Sequence, residues 1–325
     1  GYIAAFNMAQ DLRLLSLRAG SDYVALNAYH AHPFGDTCEV SSSLEMRGSL
    51  ARAFAASHLA GKPLVATEYG LAFWNPYRYE QGFLMGGDGA LNGFDGLTAF
   101  DRYVPVGSRN CRIATFNGYT DPVLLAANVV TTLLFGRGDV KESPCTLRFT
   151  ANADEDQKAE FGVSPSIVPY YLGFVCKTLT DYSKLPKQKN EVLVPRSGTA
   201  TATMNIGASN VSGGGGESTL AEAFKALKDA KLIPEGNKTD IEKGVWESVT
   251  GELCMDQGLR RLTVDTPRLQ GMSAVKGDAY RFKDVAVRNL TVDAGLALAS
   301  IDGEKDLKDA SRILFVFATD AVNSE

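Results

Sequence analysis

The pattern of apolar and polar positions changes character at about Glu142. Upstream of it, short apolar runs alternate with helix-period segments. Met8, Leu12, Leu15 and Leu17 fall at helical spacing over residues 7–18, and Gly20 is placed as a C-cap. Residues 22–29 read as a strand, followed by a polar loop over 36–43 and an Ala- and Leu-rich helix over 44–59. After Gly61-Lys62-Pro63, residues 64–68 form a second apolar, β-leaning run bounded by turn residues. Strand, helix, strand with short connections is the unit of a parallel sheet. A helix over 79–91 leads to a third predicted strand end at 92–97. Asp121-Pro122 then opens a helix to Phe135, with the proline in its first turn and the aspartate as N-cap.

Downstream of Pro144 the β-branched, alternating texture predicts strands at 146–150, 191–194 and 199–205. A hairpin is predicted from 251–256 and 261–265 around Gln257-Gly258, with further strands at 279–282, 296–301 and 312–318. One helix, 219–232, interrupts this pattern. The glycine run 213–216 lies in a loop over 209–218 and lacks the lysine of a phosphate cradle. The expected fold class is therefore α/β plus all-β, with an α/β domain over 1–145 and an antiparallel β-sandwich over 146–325.

Bulk properties narrow the function classes. The chain has 325 residues, 45% hydrophobic and 22% charged, an ordinary globular balance. A net charge of −5 with no basic stripe argues against a nucleic-acid partner. No apolar run is long enough to span a bilayer; the longest, 123–135, contains Asn128 and two threonines and reads as a buried helix. The five cysteines form no CxxC pair, which rules against a disulfide framework or a zinc motif and points to buried free thiols, with one long-range bridge left as the alternative. The sequons at Asn210, Asn237 and Asn289 take their meaning from the compartment, and nothing in the sequence sets an oligomeric state.

Candidate chemistry centres on Glu68, a carboxylate at the C-terminal mouth of a buried strand, where burial is unfavourable unless a partner compensates it. The bland reading is a cap, or an ion pair with Arg78. Tyr69, Phe73, Trp74, Tyr77 and Tyr79 crowd the next stretch, and aromatic faces beside a carboxylate suit a sugar, with Trp74 as the platform. At the other strand end, Tyr29 and His32 are placed as hydrogen-bonding groups near that carboxylate. His30 and His32 at i, i+2 make a poor metal site, and His58 sits in a helix, so no metal and no cofactor is assigned. There is no G-x-S-x-G nucleophile motif. Asp121, Arg137 and Asp139 read as a helix cap followed by an ion pair.

These residues resemble the retaining glycoside hydrolases of clan A, the (β/α)8 glycosidases. Thr67-Glu68-Tyr69-Gly70 matches the clan's seventh strand, which ends in the nucleophile. Asn27-Ala-Tyr29-His30-Ala-His32-Pro33 matches the sixth, with Asn27 in place of the usual histidine. Phe94-Asp95-Gly96 stands for the eighth strand's Trp-Asp-Gly. The resemblance implies a partial barrel of about strands 6–8 followed by an accessory β-sandwich. It implies Glu68 as nucleophile, Tyr29 as its hydrogen-bond donor, and Asn27, His32, Trp74 and Asp95 as substrate contacts. It also implies a carbohydrate substrate and a secreted or periplasmic location. Retaining chemistry needs a second carboxyl group, which the clan supplies from an Asn-Glu pair on strand four. No such pair precedes Asp22, so the chain is expected to be a fragment with its acid/base Glu upstream. Asn190-Glu191, the sole Asn-Glu dipeptide, is read as part of a linker. Two other readings stand beside this one: a non-enzymatic carbohydrate-binding protein using the sandwich, and an unrelated α/β enzyme using Glu68 with Tyr29.

Overall fold

The computed structural model describes residues 2–4, 12–33, 40–45, 49–101, 112–158, 167–195 and 216–320. In chain order the first half comprises α1 (Leu12–Arg18), β1 (Val24–Tyr29), α2 (Ser49–Ala55), β2 (Leu64–Gly70), α3 (Glu80–Asn92), β3 (Gly96–Ala99) and α4 (Pro122–Thr131), which runs on into a π-turn over Thr132–Gly136. The three strands form a parallel sheet in the order β1-β2-β3, with α2 and α3 as the crossovers. Ala51, Ala53, Phe54 and Ala55 of α2 are buried and supply the small, apolar face that lets this helix lie on β1 and β2.

Two features of α3 set the geometry of this half. A methyl group at Gly86 would meet the Cα of Thr131 at 2.9 Å, and one at Gly82 would run into Ala127, so these glycines let α4 lie directly on α3. Gly93 ends the helix at φ 63°, ψ 49°, with backbone bonds back to Gly89 and Ala90. The predicted strand end at 92–97 is therefore corrected. Asn92-Gly93 is a helix C-cap, and Gly96 begins β3 rather than ending it. Asp121 caps α4 as expected, accepting from Val123 N at 2.9 Å and Leu124 N at 3.4 Å.

The second half contains β4 (Thr146–Thr150), α5 (Ala153–Gln157), α6 (Ile167–Leu172), β5 (Lys177–Asp181), β6 (Glu191–Pro195), α7 (Gly216–Asp229), β7 (Val245–Glu247), β8 (Leu253–Asp256), β9 (Arg261–Asp265), β10 (Leu269–Ala274), β11 (Tyr280–Arg281), β12 (Ala286–Val287), β13 (Ala294–Ser300) and β14 (Ile313–Thr319). It is not wholly antiparallel. Strands β5-β4-β6 form a second parallel sheet, while β14-β13-β10-β9-β8-β7 form a six-stranded antiparallel one. One face of the antiparallel sheet packs on helices, α3 against β9 and β10 and α4 beside β14. Phe282 and Leu290, around the β11–β12 hairpin, cover Met272 and Leu296 in a separate cluster. Helices thus occupy a place where a sandwich would put its second sheet. The fold is mixed α/β with parallel sheets and one larger antiparallel sheet. The strand predicted at 199–205 and most of the glycine-rich loop lie outside the described residues.

One apolar core runs from Leu15 through Phe83, Phe149 and Trp246 to Val316, crossing the predicted boundary at 145/146 without a break. Charged groups are built into it. Arg148 lies between β5 and β6, 3.2 Å from Asp181 and 3.1 Å from Glu191, which gives the Asn190-Glu191 dipeptide a structural task. Arg52 of α2 is enclosed by the rings of Tyr171 (4.6 Å), Phe174 and Trp246 (both 5.3 Å). Near it in the core is the buried Asp88, one of whose oxygens accepts from Asn92 at 3.1 Å. Burial outweighs the Arg52 charge and the Asn92 bond and pushes the Asp88 carboxyl up to about 8. The folded chain therefore keeps a proton that the unfolded chain sheds near its ordinary value of 3.8, so stability falls as pH rises across that interval. Asp88→Asn is expected to flatten this fall between pH 5 and 8 in urea titrations. Glu80, also raised to about 8 by burial, leaves a residual slope of the same sign. An unchanged profile in Asp88→Asn would place the titration elsewhere.

Among the described residues no helix is long and apolar enough to cross a membrane.

Candidate functional site

The C-terminal ends of β1, β2 and β3 lie side by side, as parallel strands require, and carry the polar groups of interest. The local geometry depends on an irregularity in β2. Leu26 pairs with Ala66, but the next pair is Asn27 with Glu68. On the other edge Ala66 pairs with Leu97 and Tyr69 with Ala99. The middle strand therefore carries an extra residue against both neighbours, a bulge of a kind rarely found in parallel sheets and common beside active sites. Thr67 fills it. Its hydroxyl donates to Asn27 Oδ1 at 2.7 Å, with the Leu26 carbonyl 3.2 Å away as a second acceptor. The bulge places Glu68 opposite Asn27 at the mouth of the sheet.

Tyr29 donates its hydroxyl to Glu68 Oε2 at 2.7 Å, joining the two predicted strand ends. Burial, then the hydrogen bond and charge of Glu68, then the charge of Asp101, hold the Tyr29 hydroxyl far above the usual phenol range. It therefore remains a donor at any working pH. Glu68 Oε1 carries no hydrogen bond among the described residues, which leaves one carboxylate oxygen oriented and the other available. Arg78, the alternative partner for Glu68, pairs instead with Asp121 at 2.6 Å and with Asp320 at 3.0 Å.

Aromatic rings border this carboxylate. His32 stands edge-on to Tyr29 at 4.8 Å, and its Nδ1 donates to the Pro33 carbonyl at 2.7 Å. Phe116 lies 6.0 Å from Tyr29, 5.6 Å from His32 and 5.2 Å from Phe100. Its backbone sits at φ 58°, a left-handed conformation unfavourable for a bulky residue and frequent at ligand sites. Trp74 follows in the turn after β2, half exposed at 50% and stacked on the buried Phe73 at 4.6 Å. Arg78 lies 5.1 Å from the Phe73 ring centre and donates to the Asn75 carbonyl at 3.1 Å, fixing this turn from within.

Of the residues singled out in the sequence, Tyr29, Asn27, His32 and Glu68 are brought together, and Trp74 lies in the turn leaving the same strand end. Asn27 offers its amide oxygen to the bulge, so it supports the site from beneath. Asp95 is not part of the cluster. Its carboxylate accepts from Leu64 N at 2.8 Å, at the opposite end of β2, roughly 13 Å from Glu68 at strand rise. The third strand ends instead in Phe100 and Asp101. Phe100 N donates to Tyr69 O at 3.0 Å, and the Asp101 charge reaches both Tyr29 and Tyr69. The apolar-to-polar step at 97–101 is the signal that would have located these two residues.

The remaining histidines are structural. His30 Nε2 bonds the Ser41 carbonyl at 3.1 Å, and burial lowers the His58 imidazole to about 3, keeping it neutral. Among the described residues no group of three or more His, Cys, Asp or Glu side chains is arranged to hold a metal. Arg137 and Asp139 form the predicted ion pair, and Arg137 also donates to the Ser300 carbonyl of β13 at 2.7 Å. In comparisons with known proteins, no family model, curated protein or solved structure matches this chain.

Proposed function

We propose that this chain carries the nucleophile half of a retaining glycoside hydrolase site, with β1–β3 as part of a (β/α)8 barrel. The observation that carries this reading is the Tyr29–Glu68 bond at the mouth of a parallel sheet, with one carboxylate oxygen held and the other without a hydrogen bond among the described residues. In that reading Glu68 Oε1 attacks the anomeric carbon while Tyr29 orients Oε2 and spreads its charge. The negative charges of Glu68 and Asp101 favour the oxocarbenium-like transition state. Trp74 stacks on the apolar face of a sugar ring, and His32 with Phe100 and Phe116 closes the aromatic border. No described residue is assigned as acid/base. The 2,4-dinitrophenolate of a 2,4-dinitrophenyl glycoside departs without protonation, so its release reports attack by the nucleophile without an acid.

Trp74→Ala is expected to raise KM for such substrates about tenfold with kcat little changed, because stacking is present before and during bond breaking. Steady-state kinetics on the two proteins checks this, and an unchanged KM would remove Trp74 from the site. A second reading, non-enzymatic carbohydrate binding, draws on a different surface. Ile313, Phe315 and Phe317 alternate along the edge strand β14 and are 48%, 60% and 46% exposed. Sugar binding that survives Trp74→Ala and is lost in Phe315→Ala would favour that reading.

A further inference from the structure

We propose that Cys145 and Cys176 form a redox modification site, a thiol pair that closes to a disulfide between the leading ends of β4 and β5. The sheet register places them. Thr146 pairs with Lys177 at the start of the two parallel strands, and the cysteines are the residues immediately before that pair. Neighbouring strands run about 4.8 Å apart, and a disulfide spans Cα separations of about 4.4–6.8 Å. Strand pleating carries both side chains to the same face. Both cysteines are buried, at 4% and 0% exposure, and both are free thiols.

The surroundings differentiate the two sulfurs. Interaction between the two thiols lowers the Cys145 thiol below the usual range and, together with burial, raises that of Cys176 well above it. The Ser143 hydroxyl lies 3.8 Å from the same Cys145 sulfur, and the Leu232 carbonyl beyond α7 lies 4.0 Å away. In this proposal Cys145, whose thiol is the lower of the two, is the attacking sulfur once it has lost its proton. Cys254, in β8, is pushed up to about 11 by burial and stays a thiol.

With oxidised glutathione as oxidant, the Cys145 thiolate attacks one glutathione sulfur and expels one glutathione thiolate. The Cys176 thiol then gives up its proton and attacks Cys145 Sγ in the mixed disulfide, expelling the second. The protein loses two electrons and two protons, and one glutathione disulfide becomes two glutathione thiols. Burial makes the first step wait on local opening near Leu232, so the reaction is slow and the closed bridge is protected. The bridge ties together the ends of the segment holding α5 and α6 and restricts the unfolded chain.

The test uses the full reduced chain equilibrated in glutathione buffers of rising oxidised fraction, then unfolded, alkylated and peptide-mapped. The expected result is loss of two of the five thiols as one linked Cys145–Cys176 peptide. The bridge should raise Tm by about 5 °C. Cys145→Ser and Cys176→Ser should each abolish the link and the Tm rise, while Cys254→Ser keeps both. The map of the unsubstituted chain decides the matter if a serine variant does not fold. Five alkylatable thiols throughout, glutathione adducts alone, or a link that uses Cys38, Cys111 or Cys254 would overturn the proposal.

Discussion

Glu68→Gln is expected to lower cleavage of 2,4-dinitrophenyl glycosides by on the order of 10⁴-fold, the scale on which loss of a nucleophile registers. The substitution is nearly isosteric. Glutamine can still accept from Tyr29, so the bond across β1 and β2, 2.7 Å in the native chain, is retained and the fold should be undisturbed. What disappears is the anionic oxygen proposed to form the bond to carbon. Small anions such as azide should restore turnover in Glu68→Gly, where the cavity admits an external nucleophile, and should yield a glycosyl azide of inverted configuration. Equal rates in Glu68→Gln and the unsubstituted protein would mean that this carboxylate does no covalent work.

The largest stability effect is expected at Asp121. Its side chain and that of Arg78 are fully buried at 0% exposure and bonded at 2.6 Å, and the same carboxylate caps α4. Removing one partner of a buried pair typically costs about 3–5 kcal/mol; Asp320, 3.0 Å from Arg78, still offsets part of the charge, which puts the loss at the low end of that range, and the lost cap adds about 1 kcal/mol. Asp121→Ala should therefore reduce unfolding free energy by about 4 kcal/mol in urea titrations, with Asp121→Asn falling between because it keeps the cap. A loss below about 1 kcal/mol in Asp121→Ala would show that the pair is not energetically central. The effect should extend to the site. Arg78 lies against Phe73, which carries Trp74, so KM should rise in Asp121→Ala even under conditions where the chain is folded.

The order of the first-half elements was legible because local signals agree there: the breaks at Gly61-Lys62-Pro63, the Asp121-Pro122 helix start and the apolar run of β2. That Tyr29 stands near the Glu68 carboxylate was also legible from the two polar strand ends, and the resemblance implied the bond between them. The bulge at Thr67 was not. An extra residue in β2 is defined only against its partners β1 and β3, and nothing in Thr67-Glu68 marks it locally. Asp95 was misplaced because Phe94-Asp95-Gly96 has the composition of a strand end, whereas Gly93 in the left-handed conformation makes it a strand start. That error hid Phe100 and Asp101 further along. In the second half, period-2 alternation located β4 and β6 but does not distinguish parallel from antiparallel pairing. Strand β10 escaped notice because Leu269–Ala274 is buried on both faces and shows no alternation.

A nucleophilic Glu68 becomes covalently bonded to the sugar, and that species can be trapped. The chain would be incubated with 2,4-dinitrophenyl 2-deoxy-2-fluoroglycosides of several sugar configurations. The fluorine slows hydrolysis of the glycosyl-enzyme, and the leaving group needs no acid. The predicted result is a single adduct by intact mass with one of the configurations, mapped by fragmentation to Glu68 and missing in Glu68→Gln. No adduct with any configuration, or an adduct on another residue that persists in Glu68→Gln, would mean that Glu68 is not the nucleophile.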